Sequence, residues 1–383
     1  MLPLSDSVVS QPRSGIRKIG DLARTIPGAL HLEIGEPLFK TPEHIIDACS
    51  QALADGQTKY TPNAGIPALR EAIAKTYSKK LGIALSPNNV VVGIGGVEVI
   101  NCAIRVACDP GDEMLIPNPS WPNYQMMAAI ASITPVGYSL HPNNNFLPDF
   151  DELEKLVSKK TKMIIVNSPS NPLGVVFPKS VIDRLEQFAQ RHNIHLLSDE
   201  AYDHFVYDGE FASALAGGLK DGIIGTYTFS KTYAMTGWRV GFSIASEHFS
   251  TQMTKLQEAY ISCVPSANQY AAMAALEGSQ DCVREMCAVY AKHAELVKAI
   301  LDRHEVSYLK PSGAFYMWIN AECSDSEAFA ESFLKTKKVA VAPGCTFGSL
   351  GQGYVRVSLA SDQSALEEGV KRLAEYIVAA RKP

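Results

Sequence analysis

Short apolar, β-branched runs alternate with longer stretches whose apolar residues recur every three or four positions. Val90-Val91-Val92-Gly93-Ile94, Glu113-Met114-Leu115-Ile116, Met163-Ile164-Ile165-Val166, Ile194 to Ser198, Ile223-Ile224-Gly225-Thr226-Tyr227 and Val240-Gly241-Phe242-Ser243-Ile244 read as strands. Between Pro178 and Asn193 the residues Val181, Ile182, Leu185, Phe188 and Ala189 fall on one helical face. Continuously apolar strands imply a sheet covered on both sides. Their alternation with helices predicts an α/β fold with a mostly parallel sheet, whose ligands gather at the carboxyl ends of the strands. From about residue 276 the pattern changes to a long helix over 281–303, followed by short strands and helices. We therefore expect a large domain over 46–275 and a smaller α+β domain formed by 1–45 with 276–383.

A chain of 383 residues, 46% of them hydrophobic, can bury a core of this size. Its 35 basic and 40 acidic residues leave a formal charge of −5, so there is no cationic excess to hold a nucleic-acid backbone or an anionic membrane. The first residues, Met1-Leu2-Pro3-Leu4-Ser5-Asp6, lack a positive segment followed by an apolar one, and no run approaches a bilayer-spanning length. A cytoplasmic protein is expected. The eight cysteines form no Cys-x-x-Cys pair, which argues against a zinc site or a disulfide framework.

Two residues stand where such a sheet would present a ligand. Asp199 closes the apolar run from Ile194, and Lys231 follows the next strand in Ser230-Lys231-Thr232-Tyr233-Ala234-Met235-Thr236-Gly237-Trp238-Arg239. A lysine amine is nucleophilic only when neutral, so one used for Schiff-base chemistry must be buried or placed near other cations. Arg239 can supply such a charge, or clamp a phosphate with its planar fork. Alone, this spacing also occurs on ordinary surface turns. Gly93-Ile94-Gly95-Gly96-Val97 precedes a helix over Glu98 to Ala107 and suits a phosphate at a helix start, although taken alone it reads first as a tight strand-to-helix turn. Trp121, in the loop Asn118 to Tyr124, could stack on a flat ring or simply fill a core. The turn Asn167-Ser168-Pro169-Ser170-Asn171-Pro172-Leu173-Gly174 can aim the Asn171 amide. His192, His195 and His204 crowd near Asp199, Glu200 and Asp203, but strand alternation scatters them, so no metal is expected.

The order of these segments, with Ser-Asp-Glu-x-Tyr at 198–202, Pro-Ser-Gly-Ala-Phe-Tyr at 311–316 and Val-Arg-Val-Ser at 355–358, resembles the class I aminotransferases of pyridoxal phosphate fold type I, particularly their bacterial aspartate-aminotransferase-like branch. The resemblance runs from about Gly35 to the end. It implies that Lys231 forms a Schiff base with pyridoxal 5'-phosphate and moves the α-proton of the substrate, and that Asp199 pairs with the pyridine nitrogen. It further implies that Tyr202 and Asn171 bond the cofactor's phenolic oxygen and that Trp121 stacks on its ring. Arg239, Thr228, Ser230 and the amides of Gly95, Gly96 and Val97 are implied to hold the phosphate, with Tyr60 reaching across from a second subunit of a homodimer. On the substrate side the resemblance implies Arg356 at the α-carboxylate, Gly35 closing over it, and Trp121 and Asn171 beside them.

Two positions depart from the pattern. Leu38 ends Gly35-Glu36-Pro37-Leu38 where aspartate is frequent, and Val97 stands where some relatives that use dicarboxylic acids carry lysine. A valine cannot pair with a side-chain carboxylate. The expected activity is therefore transfer of the amino group of an L-amino acid, preferentially neutral or apolar, to a 2-oxo acid by a ping-pong route. Arg13, Arg17 or Lys18 folding over the site would restore a cation. A carbon–sulfur lyase or other elimination enzyme on the same fold is the alternative, and a non-catalytic regulator is a remoter one.

Overall fold

The computed structural model describes residues 2, 4–9, 11 and 13–381. Seven strands form the central sheet: β1 (Val90–Gly93), β2 (Glu113–Asn118), β3 (Thr134–Ser139), β4 (Thr161–Asn167), β5 (His195–Asp199), β6 (Ile223–Thr228) and β7 (Gly241–Ile244). Their spatial order is β1-β7-β6-β5-β4-β2-β3. Only β7 runs against its neighbours β1 and β6; the remaining pairs are parallel. Successive side chains enter opposite cores. Leu115, Ile164 and Leu196 belong to one cluster, and Met114, Ile116, Met163, Ile165 and Leu197 to the other. This alternation explains why the strands read as continuous apolar runs: helices cover both faces.

No apolar run marks β3. This edge strand carries Pro135 and Gly137 and exposes Thr134, Pro135 and Gly137, so neither apolar continuity nor β-propensity marks it. The helix expected over Glu98 to Ala107 begins earlier, at Gly95, which brings the glycines into its first turn. The long helix spans Asp281–Arg303 and the one before β5 spans Lys179–Arg191.

A second sheet of four short strands joins Ala342–Pro343, Tyr354–Ser358, Tyr316–Asn320 and Tyr308–Leu309, all antiparallel. Its core gathers Phe315, Tyr316, Val357, Val297 and Leu373 with Ile19 and Leu32 from the N-terminal region. Tyr202 and Phe205, just beyond β5, also enter this second core, so the carboxyl edge of the large sheet abuts the smaller unit. Among the described residues, no helix is long and apolar enough to cross a membrane.

Candidate active site

Parallel strands all end on one side, and there Asp199 closes β5, Asn167 closes β4 and Thr228 closes β6. Beside these ends lies a cavity of about 240 Å³. Lys231 reaches it from the short helix Phe229–Thr232 that follows β6, and Arg356 from the central part of strand Tyr354–Ser358 in the smaller unit. Residues distant in sequence therefore line one wall.

The Lys231 Nζ donates to the Gly35 carbonyl at 2.7 Å. Burial, reinforced by the charge of Arg356 and more weakly by that of Arg239, pushes its pKa down to about 8, against the opposing pull of Glu36 and Asp199. A fair fraction of this amine is thus neutral near physiological pH, as nucleophilic chemistry requires. Asp199 is 6% exposed. It accepts from Tyr124 Oη at 2.5 Å and from the Ala201 amide at 3.2 Å. Burial pushes its carboxyl up to about 6, and these donors together with Lys231 act the other way. A cationic group placed against Asp199 would lower that value further.

Arg356, only 1% exposed, donates through Nη1 to Asn171 Oδ1 at 2.8 Å and through Nη2 to the Glu33 carbonyl at 2.5 Å. Its Nε has no partner among the described residues. Asn171 is itself fixed, because its amide donates to Asn167 Oδ1 at 2.7 Å while Asn167 Nδ2 donates to the Asp199 carbonyl at 3.0 Å. The Tyr202 and Tyr316 hydroxyls lie 2.9 Å apart. Trp121 borders the cavity edge-on to Tyr124, with ring centres 5.4 Å apart and planes at 88°.

At the other end stand Gly96, Val97, Thr228, Ser230 and Arg239. Gly96 and Val97 occupy the first turn of helix Gly95–Ala107, where amides lack intrahelical acceptors and favour an anion. Gly95 has φ +72°, and a Cβ there would meet the Arg239 guanidinium at 2.5 Å. Glycine is required for the arginine to lie across the turn. Arg239, itself at φ +56°, donates to the Thr236 carbonyl at 2.8 Å and to the Ile94 carbonyl at 3.4 Å. Thr228 Oγ1 accepts from the Ser230 amide at 3.2 Å and donates to Ser230 Oγ at 2.9 Å.

The family model for class I and II aminotransferases matches residues 27–373. The chain belongs to the class I and II aminotransferases. It is 38% identical to an aspartate aminotransferase of Pyrococcus horikoshii, over 98% of this chain and 97% of that one. It is also 38% identical to aromatic-amino-acid aminotransferase 2 of Thermococcus litoralis, over 98% of each. The aspartate aminotransferase of Thermus thermophilus solved with maleate superimposes with a TM-score of 0.93 at 32% identity, over 98% of this chain and all of that one. This aminotransferase uses pyridoxal 5'-phosphate, and the names of its relatives favour amino-group transfer over elimination.

The residues present fit that cofactor. One cavity holds a partly neutral amine, a buried carboxylate, a hydroxyl and amide cradle with an arginine across it, and a buried arginine with a free Nε. Of the residues given a cofactor or substrate role from the sequence, two are not on the cavity wall. Gly95 lies just behind Arg239, and Tyr60 is 91% exposed on the surface of its own chain. The cations considered for a lid are elsewhere: Arg13 pairs with Asp21 at 2.8 Å, Lys18 pairs with Glu327 at 2.5 Å, and Arg17 does not line the cavity. Ile16 of the same helix, Gly15–Arg24, lines it instead. Tyr124, Asn167 and Tyr316 were not picked out. Each stands inside a quoted segment, but nothing in its spacing distinguishes it from a core residue. His192 pairs with Glu154 at 2.8 Å and Asp203 with Lys80 at 2.5 Å, and among the described residues no group of His, Cys, Asp and Glu is placed to hold a metal ion.

Proposed function

We propose that Lys231 is the Schiff-base lysine of this aminotransferase and that its amino donors are neutral or apolar L-amino acids. The observation carrying the first part is the convergence on one cavity of Asp199, of Lys231 and Arg239, and of Arg356 from three separate segments. When bound, pyridoxal phosphate supplies an aldehyde for the amine and a pyridine ring that accepts the electrons left when the substrate α-proton departs. Asp199 would hold a proton at the ring nitrogen, since a buried carboxylate favours a charged ring. Arg239, Thr228, Ser230 and the Gly96 and Val97 amides would anchor the phosphate end, with Gly95 making room for Arg239. Trp121, Tyr202 and Asn171, all on the cavity wall, would hold the ring and its oxygen. Arg356 grips the substrate carboxylate, with Gly35 closing over it. With the cofactor bound, Lys231 Nζ would accept the proton from the substrate α-carbon and return it.

Support for apolar donors comes from the rim. Val97, Ile100 and Ile16 border the cavity, whereas the nearby cations Arg13 and Lys18 are engaged in surface pairs. The apolar wall leaves a side-chain carboxylate without a partner. Leucine or phenylalanine should exceed aspartate in kcat/KM by about tenfold, a difference of about 1.4 kcal/mol. A tenfold advantage for aspartate would refute this preference while leaving the lysine assignment intact.

The same reading places the protein in the cytoplasm as a homodimer, with Tyr60 reaching a partner's phosphate site; its 91% exposure supports this. It also assigns 46–275 to the large domain and 1–45 with 276–383 to the smaller one, a division supported by helix Asp281–Arg303 packing on Gln363–Ala380.

A further inference from the structure

Tyr316 begins the strand Tyr316–Asn320, which pairs antiparallel with Tyr354–Ser358 so that Tyr316 faces Ser358 and Trp318 faces Arg356. In this register Tyr316 and Arg356 are diagonal neighbours on one face of the smaller sheet. The Arg356 guanidinium lies 4.2 Å from the centre of the Tyr316 ring, within cation–π range. The phenol oxygen then passes beneath Gly35, where any Cβ would meet it at 2.2 Å, and reaches Tyr202 Oη at 2.9 Å. Gly35 is also the residue whose carbonyl receives Lys231. Tyr316, 1% exposed, therefore touches the carboxylate-binding arginine, the segment that closes on the substrate and the phenol facing the cofactor's oxygen.

Resting on the site assignment above, we infer that Tyr316 is a positioning residue with two separable actions. Its ring seats Arg356, and its hydroxyl, bonded to that of Tyr202, donates to it when the Tyr202 hydrogen turns to the cofactor. A phenol has one hydrogen to give. If Tyr316 donates to the Tyr202 oxygen, the Tyr202 hydrogen is free to turn into the cavity. Ring and hydroxyl thus act at opposite ends of the substrate, one on carboxylate binding and the other on proton affinity at the reacting end.

Two substitutions separate them in the holoenzyme. Tyr316→Phe keeps the ring and removes the hydroxyl, while Tyr316→Met removes both and still fills the space with a flexible apolar chain. The readouts are the apparent pKa of the long-wavelength absorption band, the Kd of 4-methylpentanoate, an unreactive monocarboxylate, and kcat against KM, with thermal unfolding to confirm the fold. In Tyr316→Phe a weakened Tyr202 donor leaves the cofactor's oxygen more basic, so the band should titrate about half a unit higher, with the carboxylate Kd within about twofold of wild type. In Tyr316→Met that Kd should rise about tenfold as well. An unmoved band in Tyr316→Phe overturns the hydroxyl role, and equal Kd values in the two variants overturn the ring role. A wild-type holoenzyme without a titrating band would instead count against the Lys231 assignment, so the two failures are distinguishable.

Discussion

At the scale of single residues, the chemistry rests on what burial does to Lys231 and Asp199. Both are pushed toward their neutral forms, the amine down to about 8 and the carboxyl up to about 6, because a low-dielectric cavity penalises charge. For Lys231 the direction has a measurable consequence. Only the deprotonated amine attacks an aldehyde, and deprotonation is completed as pH rises through the folded-state value. The rate at which the cofactor-free protein takes up pyridoxal phosphate should therefore climb about tenfold per pH unit below 8 and level off above it. A stopped-flow absorbance series that continues to climb to pH 10 would mean an ordinary exposed lysine. Several of the responsible neighbours carry no local signature. Tyr124 and Asn167 look in sequence like any hydroxyl or amide near a strand end, and only the tertiary fold brings them to Asp199.

Among elements, the anion cradle depends on how closely β7 approaches the turn after β1. A Cβ on Gly241 would lie 2.7 Å from both the Gly95 carbonyl carbon and the Gly96 amide nitrogen. Backbone cannot yield as a flexible side chain does, so Gly241→Ala should cost about 1–3 kcal/mol in urea unfolding and weaken cofactor retention at the same time. An unchanged midpoint with normal cofactor content would show that the cradle has slack. Elements of this kind were largely legible in the sequence. The six buried strands announce themselves because both faces are covered, and the turns after them carry glycine, proline and asparagine. β3 was not legible, because an edge strand with Pro135 needs neither apolar continuity nor a full hydrogen-bond ladder. The precedence of Ile16 over Arg13, Arg17 and Lys18 at the cavity was also hidden, since the facing of helix Gly15–Arg24 is set by its packing on the smaller unit.

For the whole molecule, the cavity belongs to neither core alone. The large sheet supplies Asp199, Lys231 and Arg239, and the smaller unit supplies Tyr316 and Arg356. Gly35 and Ile16 come from the N-terminal region that joins them. The proposed homodimer adds a further source. Sedimentation should give twice the chain mass, and Tyr60→Phe should raise the cofactor Kd about tenfold through loss of a hydrogen bond to a charged group. A monomer with full cofactor occupancy would remove Tyr60 from the account. The most direct test of the central claim is the absorbance spectrum of the purified holoenzyme as amino acids are added one at a time, repeated on Lys231→Ala. The account predicts that neutral or apolar amino acids convert the long-wavelength band to a shorter-wavelength one, that a 2-oxo acid restores it, and that Lys231→Ala does not carry out this cycle at a comparable rate. A Lys231→Ala protein that cycles as fast as wild type would contradict it.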